Sequence, residues 1–387
     1  MYNISIIIQR FNINKNMAQI KRYLEEKILN GLKTDKIIII YGARQVGKTT
    51  LVKKFLNFEK SLYLNGDFID DAEKLDKVTK EMVSRFSSID LLVIDEAQNI
   101  KDIGLKLKVI HDTLPNLKII ATGSSSFELS NKISEPLTGR HFSYLMYPFS
   151  FGEIKDIEST MQESMLYGMY PDVCLQIQSK NKKEIIERIS ASYLFKDLLN
   201  IEYIKNPKSL EHLLKILASQ ISSEVSYNEL SNTLDMDTKT VSKYIDILEK
   251  LFIIFPLNPL SSNTRKSLTK KRKYYFYDLG IRNAILGDFS DIENRNDKGA
   301  LWENFCILER LKKNSMLERN PRYYFFRTYQ GDEIDFIEIE NTTVIGFEFK
   351  YTKDTVNSKI KKIYREDIGG QGEIEVINKE NYIDFIV

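Results

Sequence analysis

Cysteine, histidine and one-sided charge are all scarce in this chain, and each shortage closes off a class of function. The two cysteines, Cys174 and Cys306, lie far apart in apolar surroundings. They offer neither a disulfide framework nor a zinc spacing, and a reducing interior is expected. The three histidines, His111, His141 and His212, are isolated, so they form no imidazole cluster for a transition metal. No apolar run approaches the ~18 residues of a membrane span. Met1 to Ile8 is apolar but short and lacks a small-residue cleavage site. It is expected to be a strand or an early-start extension, with Met17 an alternative start, rather than a signal peptide. Lys and Arg (56) nearly balance Asp and Glu (54), leaving +2, which by itself selects no partner. A cytoplasmic chain without a membrane segment is the expectation.

What is present begins with size. A chain of 387 residues, 42% of them hydrophobic, can fill two to three domain cores. Its most informative stretch is Gly42-Ala43-Arg44-Gln45-Val46-Gly47-Lys48-Thr49-Thr50, which satisfies G-x-x-x-x-G-K-[ST]. Ile37 to Ile40 lead in as a buried strand; Leu51, Val52, Phe55 and Leu56 lie on one face of the helix that leads out. A strand that stops at glycines and restarts as a helix aims several backbone N–H groups into one cavity. Those donors and the helix dipole suit a polyphosphate. Lys48 would reach the outer phosphates of ATP, and Thr49 would place its hydroxyl on Mg²⁺. The bland alternative is a glycine turn with a solvated lysine. A second signal weighs against it. Leu91-Leu92-Val93-Ile94 is an apolar strand ending in Asp95-Glu96, which suits a Walker B strand, with Asp95 beside Mg²⁺ and Glu96 polarising a water.

Strands and helices alternate around these motifs, which predicts an α/β fold with a mainly parallel sheet. The expected elements are helix 20–32, strand 61–65, helix 70–86, helix 100–114 and strand 117–121. The last strand runs into Thr122-Gly123-Ser124. Ser124 is either a sensor of the terminal phosphate or part of a plain turn.

Gly42–Thr50, Asp95-Glu96-Ala97-Gln98, Thr122-Gly123-Ser124 and Leu137-Thr138-Gly139-Arg140 occur in this order, followed by Pro148-Phe149-Ser150-Phe151-Gly152-Glu153. The group resembles prokaryotic AAA-superfamily P-loop ATPases that continue into a C-terminal domain of unknown function. That resemblance implies an ATPase core over 1–150 and a helical lid and connector over 151–207. It also implies an arginine, here Arg140, that contacts the γ-phosphate in cis or from a neighbour in a homo-oligomer; the alternative is a surface ion pair. Gln98 would help to orient water. Tyr193–Asn200 resembles the connector to the C-terminal half.

Residues 208–280 read as a winged helix. Leu210, Leu213, Leu214 and Leu217 mark one helix, Ser226-Tyr227-Asn228-Glu229 opens a second, and Thr238 to Leu251 forms a third. A strand pair over 252–257 and 273–277 follows. Lys239, Thr240, Ser242 and Lys243 would meet a DNA groove, and Arg265, Lys266, Lys270, Lys271, Arg272 and Lys273 would line a basic wing. The alternative is a module for protein contacts with a solvated basic loop.

The last segment, 281–387, places Glu303 on a helix, Asp335 on a strand, and Glu348 and Lys350 on one side of the next strand. This order resembles the PD-(D/E)xK nucleases, which implies an α+β endonuclease-like domain. Asp335 and Glu348 would then hold Mg²⁺, Glu303 would add a further ligand or an outer contact to one, and Lys350 would position or deprotonate water. The expectation is therefore an Mg²⁺-dependent ATPase coupled to DNA, with nuclease chemistry as an added activity. The alternative is a nucleotide-gated protein-interaction or signalling module with an inactive nuclease-like domain.

Overall fold

The structure is a computed structural model that describes residues 20–57, 60–75, 80–124, 137–155, 160–192, 206–260, 271–352 and 358–387. It comprises two compact units, residues 1–149 with 250–252, and residues 150–249 with 253–387.

The first unit is built on β1 (Ile37–Tyr41), whose four isoleucines are all buried. A strand apolar on both faces belongs inside a covered parallel sheet. Around it lie α1 (Tyr23–Leu32), α2 (Lys48–Lys53), β2 (Ser61–Asn65), β3 (Leu91–Asp95), α3 (Ile103–Thr113), β4 (Lys118–Gly123) and β5 (His141–Leu145). The sheet order is β2-β3-β4-β1-β5, and every pairing is parallel. Ile37, Ile39, Leu64, Leu92, Ile94 and Ile119 pack against Leu107 and Ile110 of α3. With β4 between β1 and β3, the C-terminal ends of these strands gather Gly42, Asp95 and Thr122 at one edge of the sheet.

Several boundaries differ from expectation for local reasons. Helix α1 starts at Tyr23 because Arg22 caps it, its backbone N–H donating to Glu25 Oε1 at 2.9 Å. The loop helix ends at Lys53 and tightens into a 3₁₀ turn over Lys54–Asn57. The span expected as one charged helix contains two short ones, Ile69–Glu73 and Lys80–Arg85. Strand β5 was not anticipated. It is an edge strand of mixed exposure, so its sequence shows no apolar run.

In the second unit, α4 (Met161–Tyr167) and α5 (Ser179–Ser192) are followed by α6 (Pro207–Ser219), β6 (Glu224–Val225), α7 (Tyr227–Leu234), α8 (Thr238–Lys250), β7 (Ile254–Pro259) and β8 (Arg272–Phe276). Then come α9 (Leu279–Leu286), α10 (Lys298–Met316), β9 (Arg322–Arg327), β10 (Glu333–Glu340), β11 (Thr343–Phe349), α11 (Ser358–Glu366), β12 (Glu375–Ile377) and α12 (Tyr382–Ile386). Tyr193–Asn200, the expected connector, lies outside the described residues. Seven strands form one sheet, ordered β12-β11-β10-β9-β7-β8-β6. Across the boundary expected at 280/281, β7 pairs in parallel with β9, Asn258 opposite Tyr324 and Pro259 opposite Phe325. A mostly buried strand such as β7 leaves no edge open to water, and β9 satisfies that side. Asp278 ties the turn that follows α4 to the start of α9. It accepts N–H bonds from Met169 at 2.7 Å and Ile281 at 3.1 Å. Gly168 (φ +75°) is required there, because a Cβ would sit 2.0 Å from the Asp278 carboxylate.

Candidate nucleotide site and C-terminal acid cluster

The turn after β1 can form only with glycine at its start. Gly42 has φ +156°, and a Cβ there would lie 2.2 Å from the Met146 carbonyl oxygen. Gly47, at φ 97°, caps α2 in a left-handed conformation that favours glycine. Between them Arg44 and Gln45 are exposed while Ala43 and Val46 are buried. Buried Lys48 turns its ammonium onto its own loop, donating to the carbonyls of Gly42 (2.9 Å) and Ala43 (2.8 Å). Arg22, which the sequence did not single out, braces the loop from behind. Its guanidinium donates to the carbonyls of Val46 (3.0 Å) and Tyr147 (2.7 Å) and lies 4.6 Å from the centre of the Phe149 ring.

Asp95 is buried at the end of β3 and collects hydroxyl donors from three strands or helices. Thr49 donates to Oδ2 at 2.6 Å, Tyr63 of β2 donates to the same oxygen at 2.7 Å, and Thr122 of β4 donates to Oδ1. Burial, reinforced by the bond to Asp95, holds the Tyr63 phenol well above its ordinary pKa, so it remains a donor. Thr50 follows Thr49 on α2, half-buried. Glu96 bends out of the strand at φ 48°. Gln98 then bridges it to the turn after β4, donating to Glu96 Oε2 at 2.6 Å and to Ser124 Oγ at 3.0 Å. The structure thus brings together every first-unit residue expected at the site except one.

The exception is Arg140. Its backbone carbonyl accepts from Ile37 N–H at 2.9 Å, at the start of β1, and the loop from Gly42 lies at that strand's other end. A five-residue strand spans about 16 Å. A cis contact between Arg140 and a phosphate on Gly42–Thr50 is therefore corrected. The guanidinium instead forks onto Asp112 at 2.8 and 3.2 Å.

In the second unit Lys239 and Lys243 are exposed one turn apart on α8, Ser242 is half-buried, and Asp246 is exposed a turn beyond Lys243. Thr240 serves the helix start: its N–H and hydroxyl donate to Asp237 at 2.9 and 2.6 Å. Arg265, Lys266 and Lys270 lie outside the described residues. Lys271 is exposed, and Arg272 is half-buried and hydrogen-bonded to Tyr274. Lys273 corrects the picture of a wing lysine. It is 3% exposed, on the face of β8 that it shares with Tyr275, where both meet Glu303 of α10.

Lys273 meets the residues expected to hold a second metal. Its ammonium lies 3.1 Å from Glu303 Oε1 on α10 and forms a closer ion pair with Glu333 on β10. Tyr275 donates to the same Glu303 oxygen at 2.5 Å. Asp335 accepts the Phe349 N–H at 2.9 Å, and Glu348 pairs with Lys350 at 3.1 Å. Burial pushes Glu303 up to about 7 and Glu348 up to about 8, with Asp335 adding repulsion to both. Burial also raises Asp335. Burial opposes the charge on Lys273, yet Glu303, Glu333 and Asp335 together hold its pKa above the usual lysine value. Among the described residues no three Asp, Glu, His or Cys side chains converge as a metal site. The expected ligand set Glu303, Asp335 and Glu348 with Lys350 is thus gathered in one cluster but does not fit a divalent ion in this arrangement.

Three family models match successive parts of the chain. Residues 158–291 and 298–382 match two domains of unknown function, DUF8612 and DUF4143. An uncharacterized protein of Haemophilus influenzae is 24% identical, the match covering 84% of this chain and 88% of that one. An uncharacterized protein of Methanocaldococcus jannaschii is 26% identical over 98% of this chain and 92% of its own. Among solved structures, the Walker-type ATPase PABY2304 of Pyrococcus abyssi aligns with TM-score 0.45 at 15% identity, covering 68% of this chain and 94% of that one. AMPPCP-bound DnaA from Aquifex aeolicus aligns with TM-score 0.31 at 19% identity over 58% and 85%. No helix among the described residues is long and apolar enough to cross a membrane. Residues 34–155 match a family model described as an AAA domain, the span that carries the parallel sheet and the Gly42–Thr50 loop.

Proposed function

We propose that the chain is an ATP-binding and ATP-hydrolysing switch whose second unit contacts DNA. The observation that carries this reading is the 2.6 Å bond from Thr49 to Asp95 beside the glycine-bounded loop. Amides of Gly42–Thr50 and the start of α2 would receive the triphosphate, and Lys48 would leave its two carbonyls for the outer phosphates. The Thr49 hydroxyl and Asp95 carboxylate are oxygen donors of the kind Mg²⁺ takes, so the pair fits that ion. Bound there, Mg²⁺ would offset charge on the phosphate oxygens. The chain's own part is positional. Tyr63 and Thr122 orient Asp95, while Gln98 holds Glu96 where it can polarise a water. Ser124, held by the same glutamine, would sense the terminal phosphate. Arg140 would serve the nucleotide of a neighbouring copy, which requires a homo-oligomer.

The order α6-β6-α7-α8-β7-β8 supports a winged helix, with β6 pairing β8 and β8 pairing β7. Lys239, Ser242 and Lys243 of α8, with Lys271 at the hairpin, would lie toward DNA phosphates. We place the chain in the cytoplasm. An ATPase assay with and without DNA tests the whole reading: Lys48→Ala should abolish phosphate release, and turnover that survives the substitution refutes it. A second reading, a nucleotide-gated protein-interaction module, is favoured by exposed Asp246 on the face of Lys239 and Lys243. Absence of salt-dependent DNA binding, with turnover intact, would select it.

A further inference from the structure

The acid cluster of the second unit contains its own cation. Glu303, Glu333, Asp335 and Glu348 come from α10, β10 and β11, whereas Lys273 comes from β8, in the segment before α9. Lys273 is buried, its ammonium set between Glu303 and Glu333 with the Phe325 ring centre 5.3 Å away. An ammonium stripped of water in this way persists only where carboxylates surround it. Tyr275, on the same face of β8, donates to the Glu303 oxygen that already receives Lys273. Asp335 spends one oxygen on the Phe349 backbone, and one oxygen of Glu348 is taken by Lys350. Glu333 Oε1 and Glu348 Oε1 are buried without a hydrogen bond, but the Glu333 oxygen faces the Lys273 ammonium. A lysine thus already occupies the charge position that a divalent cation would take, and among the described residues no three acidic side chains converge as a metal site.

We propose that Lys273 is a resident counter-ion in the place of a metal, so that the cluster fastens β8 to α10 and β10 and carries no metal-dependent phosphodiester cleavage. An ammonium supplies three N–H donors and a single charge. It can neutralise and tether carboxylates, but it cannot act as a Lewis acid toward a phosphate oxygen or activate a bound water. The inference is independent of the nucleotide site, which lies in the other unit.

Mn²⁺ binding to the full chain, followed by electron paramagnetic resonance without nucleotide, tests it. The isotherm of the wild type should be unchanged in Asp335→Asn and in Glu348→Gln. Lys273→Met should gain one Mn²⁺ per chain and lose it again when combined with Glu348→Gln. Loss of bound Mn²⁺ from the wild type on Asp335→Asn would overturn the proposal. So would a folded Lys273→Met chain that takes up no Mn²⁺, or Mn²⁺-dependent nicking of plasmid by the wild type that Asp335→Asn abolishes. If Lys273→Met does not fold, the comparison of wild type with Asp335→Asn and Glu348→Gln still decides.

Discussion

Replacing Tyr63 by phenylalanine isolates one hydroxyl at the nucleotide edge of the sheet. The ring remains, and with it the approach of the Lys53 ammonium at 5.3 Å from the ring centre. What is lost is a 2.7 Å donor to Asp95, a buried carboxylate that keeps Thr49 and Thr122 as its remaining side-chain donors. A hydrogen bond to a charged group contributes roughly 1.5–3 kcal/mol. Partial solvent access at Tyr63 brings the expected loss to about 1–2 kcal/mol. For a unit of this size that lowers Tm by about 3–7 °C. Scanning calorimetry of the full chain without nucleotide measures it, read on the transition that ADP with Mg²⁺ shifts upward. The same carboxylate, short of one donor, should take Mg²⁺ more readily, so the upward shift should be larger in Tyr63→Phe than in the wild type. A variant whose Tm stays within 1 °C of wild type, with an unchanged ligand-induced shift, would refute the claim that this hydroxyl orients Asp95.

Other outcomes follow from the same geometry. Gly42→Ala must displace the Met146 carbonyl and take up a strained backbone, at a cost of about 3 kcal/mol or more, seen as a lowered midpoint in urea. Arg140→Ala should leave ATP affinity within about twofold of wild type by equilibrium titration at concentrations where the chain is monomeric, since within its own chain the residue lies at the far end of β1. Stability of the second unit should fall as pH rises between about 5 and 8. A carboxyl whose folded value exceeds its unfolded one takes up a proton on folding. Its contribution is full below about pH 4 and is lost as pH climbs through the folded values, about 6 for Asp278, 7 for Glu303 and 8 for Glu348. Denaturation midpoints across that range check the sign, and Glu348→Gln should flatten the upper part. If α8 meets DNA, Lys239→Ala with Lys243→Ala should reduce the log–log salt slope of binding by about two.

The sequence announced what is contiguous and concealed what is assembled by register. Gly42–Thr50 and Leu91–Glu96 each pack loop chemistry beside an apolar strand, so both their elements and their partnership were readable. Tyr63 was not, because its reach to Asp95 depends on β2 lying beside β3 with Asn65 opposite Asp95. Arg140 was read by its place after the sensor strand, and only the parallel pairing of Ile37 with His141 reveals which end of the sheet it occupies. Lys273 was hidden in a run of basic residues that reads as a solvated loop. No alternation signals it, because Tyr274 and Tyr275 on opposite faces of β8 are both buried, and only the packing of Glu303 and Glu333 around its ammonium shows where it points. Strand β5 gave no apolar run because one of its edges is open.

The β7–β9 pairing has a practical corollary for dissecting the protein. A fragment ending near residue 286 would leave the Asn258–Pro259 side of β7 without its hydrogen-bonding neighbour and Lys273 without Glu303 and Glu333. A fragment beginning there would strip β9 of the same neighbour and leave those acids without their ammonium. Each half would present a naked strand margin and unmatched interior charge, so cutting the polypeptide at that point should yield two insoluble pieces rather than two working modules.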